Sequence, residues 1–262
     1  MSRADAEIAV LAAEAGAAVV RSNYGNDQTR LVKTATDFAT QTDLDAEQAI
    51  VDILLAKCPG DAIRAEERGD VGGPATSRRW LVDPLCGTLN FAARTPLMAV
   101  NVALVDSIGV SAAASADPMA KETFWTDGLA AFVRCGATDH PLTPDDASRL
   151  VEINADRPRA SASVSAELLG DLKFRSHFSP RVLSSTLGVA WVAAGRRAAY
   201  VSDGTFEDDL HFAAGLAIAG AAGCTITNFR GGQLNSGDGA VISASESIHE
   251  SLLTLLRRHL SV

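Results

Sequence analysis

The spacing of apolar residues changes along this chain, and each change marks an element. Residues 4–22 are Ala-rich with apolar positions at helical spacing, which predicts a first helix. Tyr24-Gly-Asn-Asp27 reads as a turn. The polar stretch from Thr36 to Asp43 leads into a second helix, with Thr42 as its N-cap and Asp43 and Asp45 in the first turn, where acids suit the positive end of the helix. That helix runs to about Lys57 and ends before Pro59-Gly60. Ala62-Ile63-Arg64 is a short strand that delivers Glu66-Glu67 to a loop rich in glycine. Strand-like runs follow at 79–83, 98–105, 109–115 and 122–133, the last broken by a turn at Asp127-Gly128. Consecutive strands with no helix between them predict an antiparallel sheet.

Around residues 136–150 the chain turns polar, with Pro141, Pro144 and two adjacent acids, and a boundary is expected there. It divides an N-terminal α+β part, residues 1–140, from a C-terminal α/β part, residues 141–262, that would complete an active site. In the second part, strands are expected near 160–164, 173–178, 198–202 and 225–229. Helices are expected at about 164–170, 184–194, 209–222 and 246–260. That alternation predicts a mixed or parallel sheet covered by helices.

Composition narrows the function. The 262 residues are 47% hydrophobic and 21% charged, enough for a substantial core in one large or two fused domains. A formal charge of −9 argues against nucleic acid or an anionic membrane as partner. It leaves room for an anionic small molecule, because divalent cations can invert the sign of a small pocket. No apolar run approaches the ~20 residues of a membrane span, and the N-terminus lacks a signal-peptide core. Cys58, Cys86, Cys135 and Cys224 lie far apart with no Cys-x-x-Cys pair, which reads as reduced thiols in a cytoplasmic protein.

The stretch that carries most chemistry is Trp80-Leu-Val-Asp-Pro-Leu-Cys-Gly-Thr-Leu-Asn-Phe91. An apolar strand runs straight into Asp83, and Pro84 is expected to stop its hydrogen-bond ladder. Gly87 and Thr88 then turn the backbone so that its N–H groups point outward, the geometry that cradles a phosphate. A carboxylate for a metal beside a nest for a phosphate points to metal-assisted phosphate ester chemistry. Asp43, Glu66, Glu67, Asp208 and Asp209 also lie at predicted element ends, where acids otherwise serve as caps or solvated loop residues.

Taken together, these pieces resemble the inositol monophosphatase family, the magnesium-dependent, lithium-sensitive phosphatases. The pattern there is Asp-Pro-[Ile/Leu]-Asp-Gly-Thr followed by Asn-Phe. Lys33 and Thr40-Gln-Thr-Asp43 resemble its upstream elements, and Ala65-Glu66-Glu67 resembles its Gly-Glu-Glu. Pro96 to Leu104 and the helix from Ala213-Ala-Gly215 to Ala222-Gly223 complete a resemblance that covers nearly the whole chain. The resemblance implies a layered α-β-α-β-α sandwich of the inositol monophosphatase and fructose-bisphosphatase type, with an antiparallel sheet first and a mixed sheet second. It implies Mg²⁺ as cofactor, a small phosphorylated metabolite as substrate and a homodimer. Glu66 and Asp83, with the carbonyl of Leu85, would hold the first ion. Thr88, backed by Asp43, would orient the attacking water. The N–H groups of Gly87 and Thr88 would seat the phosphate, and Asp203 would bind a substrate hydroxyl or serve only as a turn residue.

Two positions depart from the pattern. Cys86 stands where the family has an aspartate three residues after Asp83. Counting back from Ala213-Ala-Gly215, His211 takes the place of another aspartate, although counting forward from Gly195 puts Asp209 there. Thiol and imidazole are poor Mg²⁺ ligands and good ones for Zn²⁺ or other transition metals. The alternatives are one Mg²⁺ site with low activity on ordinary inositol phosphates, a softer ion (Mn²⁺ or Zn²⁺) at the altered site, or a ligand-binding relative with little turnover. Cys86 as a space-filling thiol and His211 as a hydrogen-bonded helix-start residue remain the plain readings of those side chains.

Overall fold

Alanine at helical spacing builds α1 (Arg3–Asn23), whose Ala6, Ala9, Val10, Ala13, Ala17 and Val20 are buried. The computed structural model describes residues 3–27, 29–34, 38–74, 78–155, 163–206 and 209–260. After a short antiparallel hairpin, β1 (Arg30–Val32) and β2 (Phe38–Thr40), the chain enters α2 (Gln41–Lys57). The N-cap of α2 is Thr40, not Thr42. The Asp43 carboxylate reaches back to accept the Thr40 N–H at 2.8 Å, and Thr42 is buried inside the helix.

Strands β3 (Ala62–Ala65), β4 (Gly69–Gly72) and β5 (Arg79–Cys86) come next, then the short helix α3 (Thr88–Ala92). They are followed by β6 (Ala99–Val105), β7 (Val110–Asp117), β8 (Glu122–Thr126), β9 (Ala131–Cys135) and β10 (Thr138–Pro141). The eight strands form one sheet in the order β10-β9-β8-β7-β6-β5-β3-β4. Pairing is antiparallel except between β3 and β5, which run parallel. Helices α1 and α2 pack together and onto this sheet, and their shared core includes Ile50, Leu54, Trp80, Val82, Val100 and Trp125.

Pro84 does not end its strand. Asp83 pairs with Asn101 and Cys86 with Ala99, so three steps along β5 match two along β6. The extra residue is a β-bulge, the place where a sheet tolerates proline. Side chains alternate faces along a regular strand, and the bulge resets that alternation for Cys86.

A first compact unit contains Met1–Pro141 with Ser185–Leu187 and Leu210–Ile218, and the rest forms a second. The second unit contains β11 (Leu150–Asn154), α4 (Val164–Gly170), α5 (Leu172–His177) and β12 (Ser179–Val182). Helix α6 (Leu187–Ala193), β13 (Ala199–Ser202), α7 (Ala213–Ala221), β14 (Thr225–Thr227), β15 (Ala240–Ser243) and α8 (Glu246–Leu256) follow. Both α6 and α7 begin in the first unit. The five-stranded sheet, ordered β12-β11-β13-β15-β14, is mixed: the β11 pairs are parallel and the β15 pairs antiparallel.

One expected strand fails here, and another lies largely outside the described residues. Residues 173–177 are helical because Asp171 caps α5, accepting from the Lys173 N–H at 2.7 Å, and Phe174 meets the C-cap Phe178 at 5.7 Å one turn on. The strand expected at 160–164 falls largely outside the described residues, as does Asp208, and Ser163 instead caps α4 by accepting from the Ala166 N–H at 3.1 Å.

Two tests of this packing follow. Gly16 of α1 faces α2 and β6, and a β-carbon there would lie 2.7 Å from Ile50 Cδ1 and 3.0 Å from Val100 Cγ1. Gly16→Leu is expected to cost about 1–3 kcal/mol through overpacking, read as a lower urea midpoint at unchanged slope. His249 of α8 is buried, with Nε2 2.8 Å from Thr227 Oγ1 and Nδ1 3.1 Å from Ser243 Oγ. Burial holds its pKa below the ordinary histidine value, partly opposed by Glu246. The unfolded chain therefore binds the extra proton first, and stability present above about pH 6.5 is lost as pH falls below it. His249→Gln should flatten the pH dependence of the unfolding free energy between about pH 7 and pH 5; equal slopes in the two proteins would contradict this account.

Candidate active site

Strand β5 carries Asp83 into the interior of the first unit, where its side chain has no exposure to solvent. A carboxylate there requires compensation. Its Oδ2 lies 2.9 Å from His211 Nδ1 and accepts from Asn101 Nδ2 at 3.3 Å. Asn101 also donates to Thr186 Oγ1 at 2.9 Å and accepts from Ser115 Oγ at 2.7 Å. Asp83 Oδ1 is buried without a hydrogen-bond partner.

Glu66 follows the end of β3, beside β5. Burial, then the neighbouring Asp83 carboxylate, push its pKa up to about 8, while His211 and Lys33 pull the other way. Lys33 Nζ donates to Glu66 Oε1 at 3.1 Å and to Glu67 Oε1 at 2.6 Å. Burial works against the Lys33 charge, and these two carboxylates more than restore it, so its pKa is raised. Glu47 of α2 anchors the same turn. Its Oε2 accepts the Glu67 N–H at 2.7 Å, and burial raises its own pKa.

The turn after β5 holds a second cluster. Gly87 takes a left-handed conformation (φ 105°), and a β-carbon there would lie 3.0 Å from the Leu97 carbonyl, so glycine is required on both counts. The first N–H groups of α3 have no acceptor within the helix. Thr88 Oγ1 lies 2.9 Å from Asp43 Oδ1 and 3.2 Å from the Leu85 carbonyl oxygen. Asp43 is fully buried, which raises its pKa, while bonds from Thr40 and Thr88 pull it back down.

Cys86 and His211 join Asp83 in a group whose ligand atoms all lie within 4.8 Å of one another. Burial, then the Asp83 charge, hold the Cys86 thiol well above its ordinary pKa, against contacts from Thr186. Asp209 lies outside this group and belongs to the second unit. Asp203 is also in the second unit, where its carboxylate accepts from Ser163 Oγ at 2.7 Å and from the N–H groups of Val164 and Ser165 at 3.0 Å each. It anchors the start of α4.

The donor chemistry distinguishes two sets of groups. Glu66, Asp83 and the Leu85 carbonyl offer hard oxygen; Asp83 Oδ1 is without a partner, and the raised Glu66 pKa marks a place where a carboxylate's charge lacks the compensation a cation would supply. This set fits Mg²⁺. Asp83, Cys86 and His211 do not fit Mg²⁺, since two of the three donors are soft or borderline. Sequence reasoning missed Asn101, Ser115, Thr186 and Glu47. Asn101 was the most visible of them, a lone amide between valines in an otherwise apolar strand.

Comparison with known proteins places the chain in a family. A profile of the Inositol monophosphatase family matches residues 2–261. The chain is 32% identical over 236 residues to an inositol-1-monophosphatase of Mesorhizobium japonicum, covering 88% of this chain and 86% of the relative. It is 30% identical over 264 residues to the Nus factor SuhB of Escherichia coli K12, covering 97% and 96%. Among solved structures it is similar to the extragenic suppressor protein suhB of Bartonella henselae, with a TM-score of 0.85 at 24% identity over 98% of this chain and 100% of the other. An IMPase of Thermotoga maritima gives 0.82 at 24% identity, over 99% and 98%. The fold is that of these proteins, and the chain belongs to the inositol monophosphatase family.

Proposed function

We propose that this chain is a metal-dependent phosphomonoesterase acting on a small phosphorylated metabolite, with low activity on ordinary inositol phosphates. The observation that carries the reading is Thr88 Oγ1, held 2.9 Å from Asp43 Oδ1 and 3.2 Å from the Leu85 carbonyl oxygen, directly after the strand that buries Asp83. Glu66, Asp83 and the Leu85 carbonyl would hold Mg²⁺, which when bound polarises the phosphoryl oxygens and lowers the pKa of water. The Thr88 hydroxyl, oriented by Asp43, positions the attacking water. The N–H groups at Gly87 and Thr88 seat the ester phosphate in line with it. Lys33 and Glu47 fix the Glu66-Glu67 turn so that Glu66 faces Asp83.

The low activity follows from the second position. With Cys86 and His211 in place of carboxylates, Mg²⁺ stabilisation of the leaving group weakens. Such activation is worth several kcal/mol, and each ~1.4 kcal/mol is a factor of ten in rate. The same two side chains favour a second reading, a relative that binds a phosphorylated ligand or a protein partner with little turnover. One relative named above carries the name of a Nus factor. A cytoplasmic site of action is proposed from four unpaired cysteines. No helix among the described residues is long and apolar enough to cross a membrane. A homodimer is proposed from the family resemblance.

Phosphate release from inositol 1-phosphate and from a panel of sugar, nucleotide and amino-alcohol phosphates, with and without Mg²⁺, tests the assignment. Metal-dependent release from at least one ester is expected, with turnover on inositol 1-phosphate well below that ester's. Thr88→Val should lower the rate by roughly 10²–10⁴-fold when assayed well below its thermal midpoint, and parental activity in that variant would remove the hydroxyl from the mechanism. The double variant Cys86→Asp, His211→Asp should raise Mg²⁺-dependent turnover more than about tenfold, through a gain of at least ~1.4 kcal/mol in stabilisation. No gain would show that these two positions are not what limits the natural protein.

A further inference from the structure

Three different donors converge where the family pattern supplies only carboxylates. A carboxylate oxygen of Asp83, the sulfur of Cys86 and a ring nitrogen of His211 all lie within 4.8 Å of one another. The bulge in β5 is what brings Cys86 to the side of Asp83. Ligands of a tetrahedral Zn²⁺, at about 2.0–2.3 Å from the ion, stand roughly 3.3–3.6 Å from each other.

Independent features point to a ligand at this place. Asp83 Oδ1 is buried without a hydrogen-bond partner, a condition that protein interiors avoid. Asn101 steadies the other oxygen of the same carboxylate, and is itself held by Ser115 and Thr186, the kind of outer support that orients metal ligands. The His211 side chain is 42% exposed, so an ion can reach the group from solvent.

We propose that Asp83, Cys86 and His211 bind one borderline transition-metal ion of the Zn²⁺ class, in place of the Mg²⁺ that an all-carboxylate set would hold. One carboxylate, one thiolate and one imidazole is a balanced donor set for Zn²⁺ and a poor one for Mg²⁺. Binding exchanges the Cys86 S–H for a metal–sulfur bond and releases that proton to solvent, and His211 binds as the neutral ring. The inference rests on the family reading for its place beside the phosphate chemistry. Its test reads binding, not turnover, so either idea can fail alone.

The probe is Co²⁺ added to the full-length, metal-stripped protein, followed by absorption spectroscopy. One equivalent is expected to produce a thiolate-to-cobalt charge-transfer band in the near ultraviolet together with the visible bands of tetrahedral Co²⁺. Zn²⁺ should erase both, and a large excess of Mg²⁺ should not. Cys86→Ser should lack the charge-transfer band. His211→Ala should bind at least about tenfold to hundredfold more weakly, the loss seen when even outer-shell groups are removed. A parent protein with no such band overturns the proposal whatever the variants do. So does a band that survives in Cys86→Ser, which would place the metal on Cys58, Cys135 or Cys224.

Discussion

An aspartate with no access to water governs the first unit. An ionised carboxylate taken out of solvent costs several kcal/mol unless other groups compensate it. Here one oxygen of Asp83 is served by Asn101 and His211, and the other is not served at all. Its neighbour Glu66 feels the same deficit, and its affinity for protons is raised toward neutral pH. Two acids are thus held together by a scaffold rigid enough to oppose their repulsion. That scaffold is the long sheet, with Trp80 and Val82 buried immediately before Asp83.

The polar groups around that pair can be read as a response to it. Lys33 bridges Glu66 and Glu67, and Glu47 ties the Glu67 backbone to α2. Asn101 is clamped from two directions so that its amide faces Asp83. Asp43 does two jobs with its two oxygens: one caps its own helix at Thr40 and the other holds the Thr88 hydroxyl. A group that shapes a helix start and a reactive turn at once couples the stability of α2 to the position of Thr88.

Much of this was legible in the chain. The N-terminal helices and the run of strands from 79 to 135 show clear periodicity, and the Asp83-to-Phe91 segment carries its chemistry in adjacent residues. The C-terminal part was harder. Strands β11, β12 and β15 are four or five residues long, too short for alternation to stand out, and β11 begins where the stretch that reads as a linker ends. The helix α5 was mistaken for a strand because Phe174 and Phe178 look apolar in either period, and only the Asp171 cap decides between them. The supporting residues around Asp83 were invisible for another reason. Asn101, Ser115 and Thr186 are far apart in sequence, and hydrogen bonds across strands leave no local signature.

The bulge between Asp83 and Cys86 sets which way residue 86 looks, and it does so through the backbone alone. Orientation and identity are therefore decoupled at that position. Aspartate, cysteine or another short ligand can be exchanged there by a single codon change, with the sheet undisturbed and the new side chain still delivered beside Asp83. On the proposed reading of this site, a fold built this way can diversify its choice of inorganic partner in small evolutionary steps while its architecture stays constant.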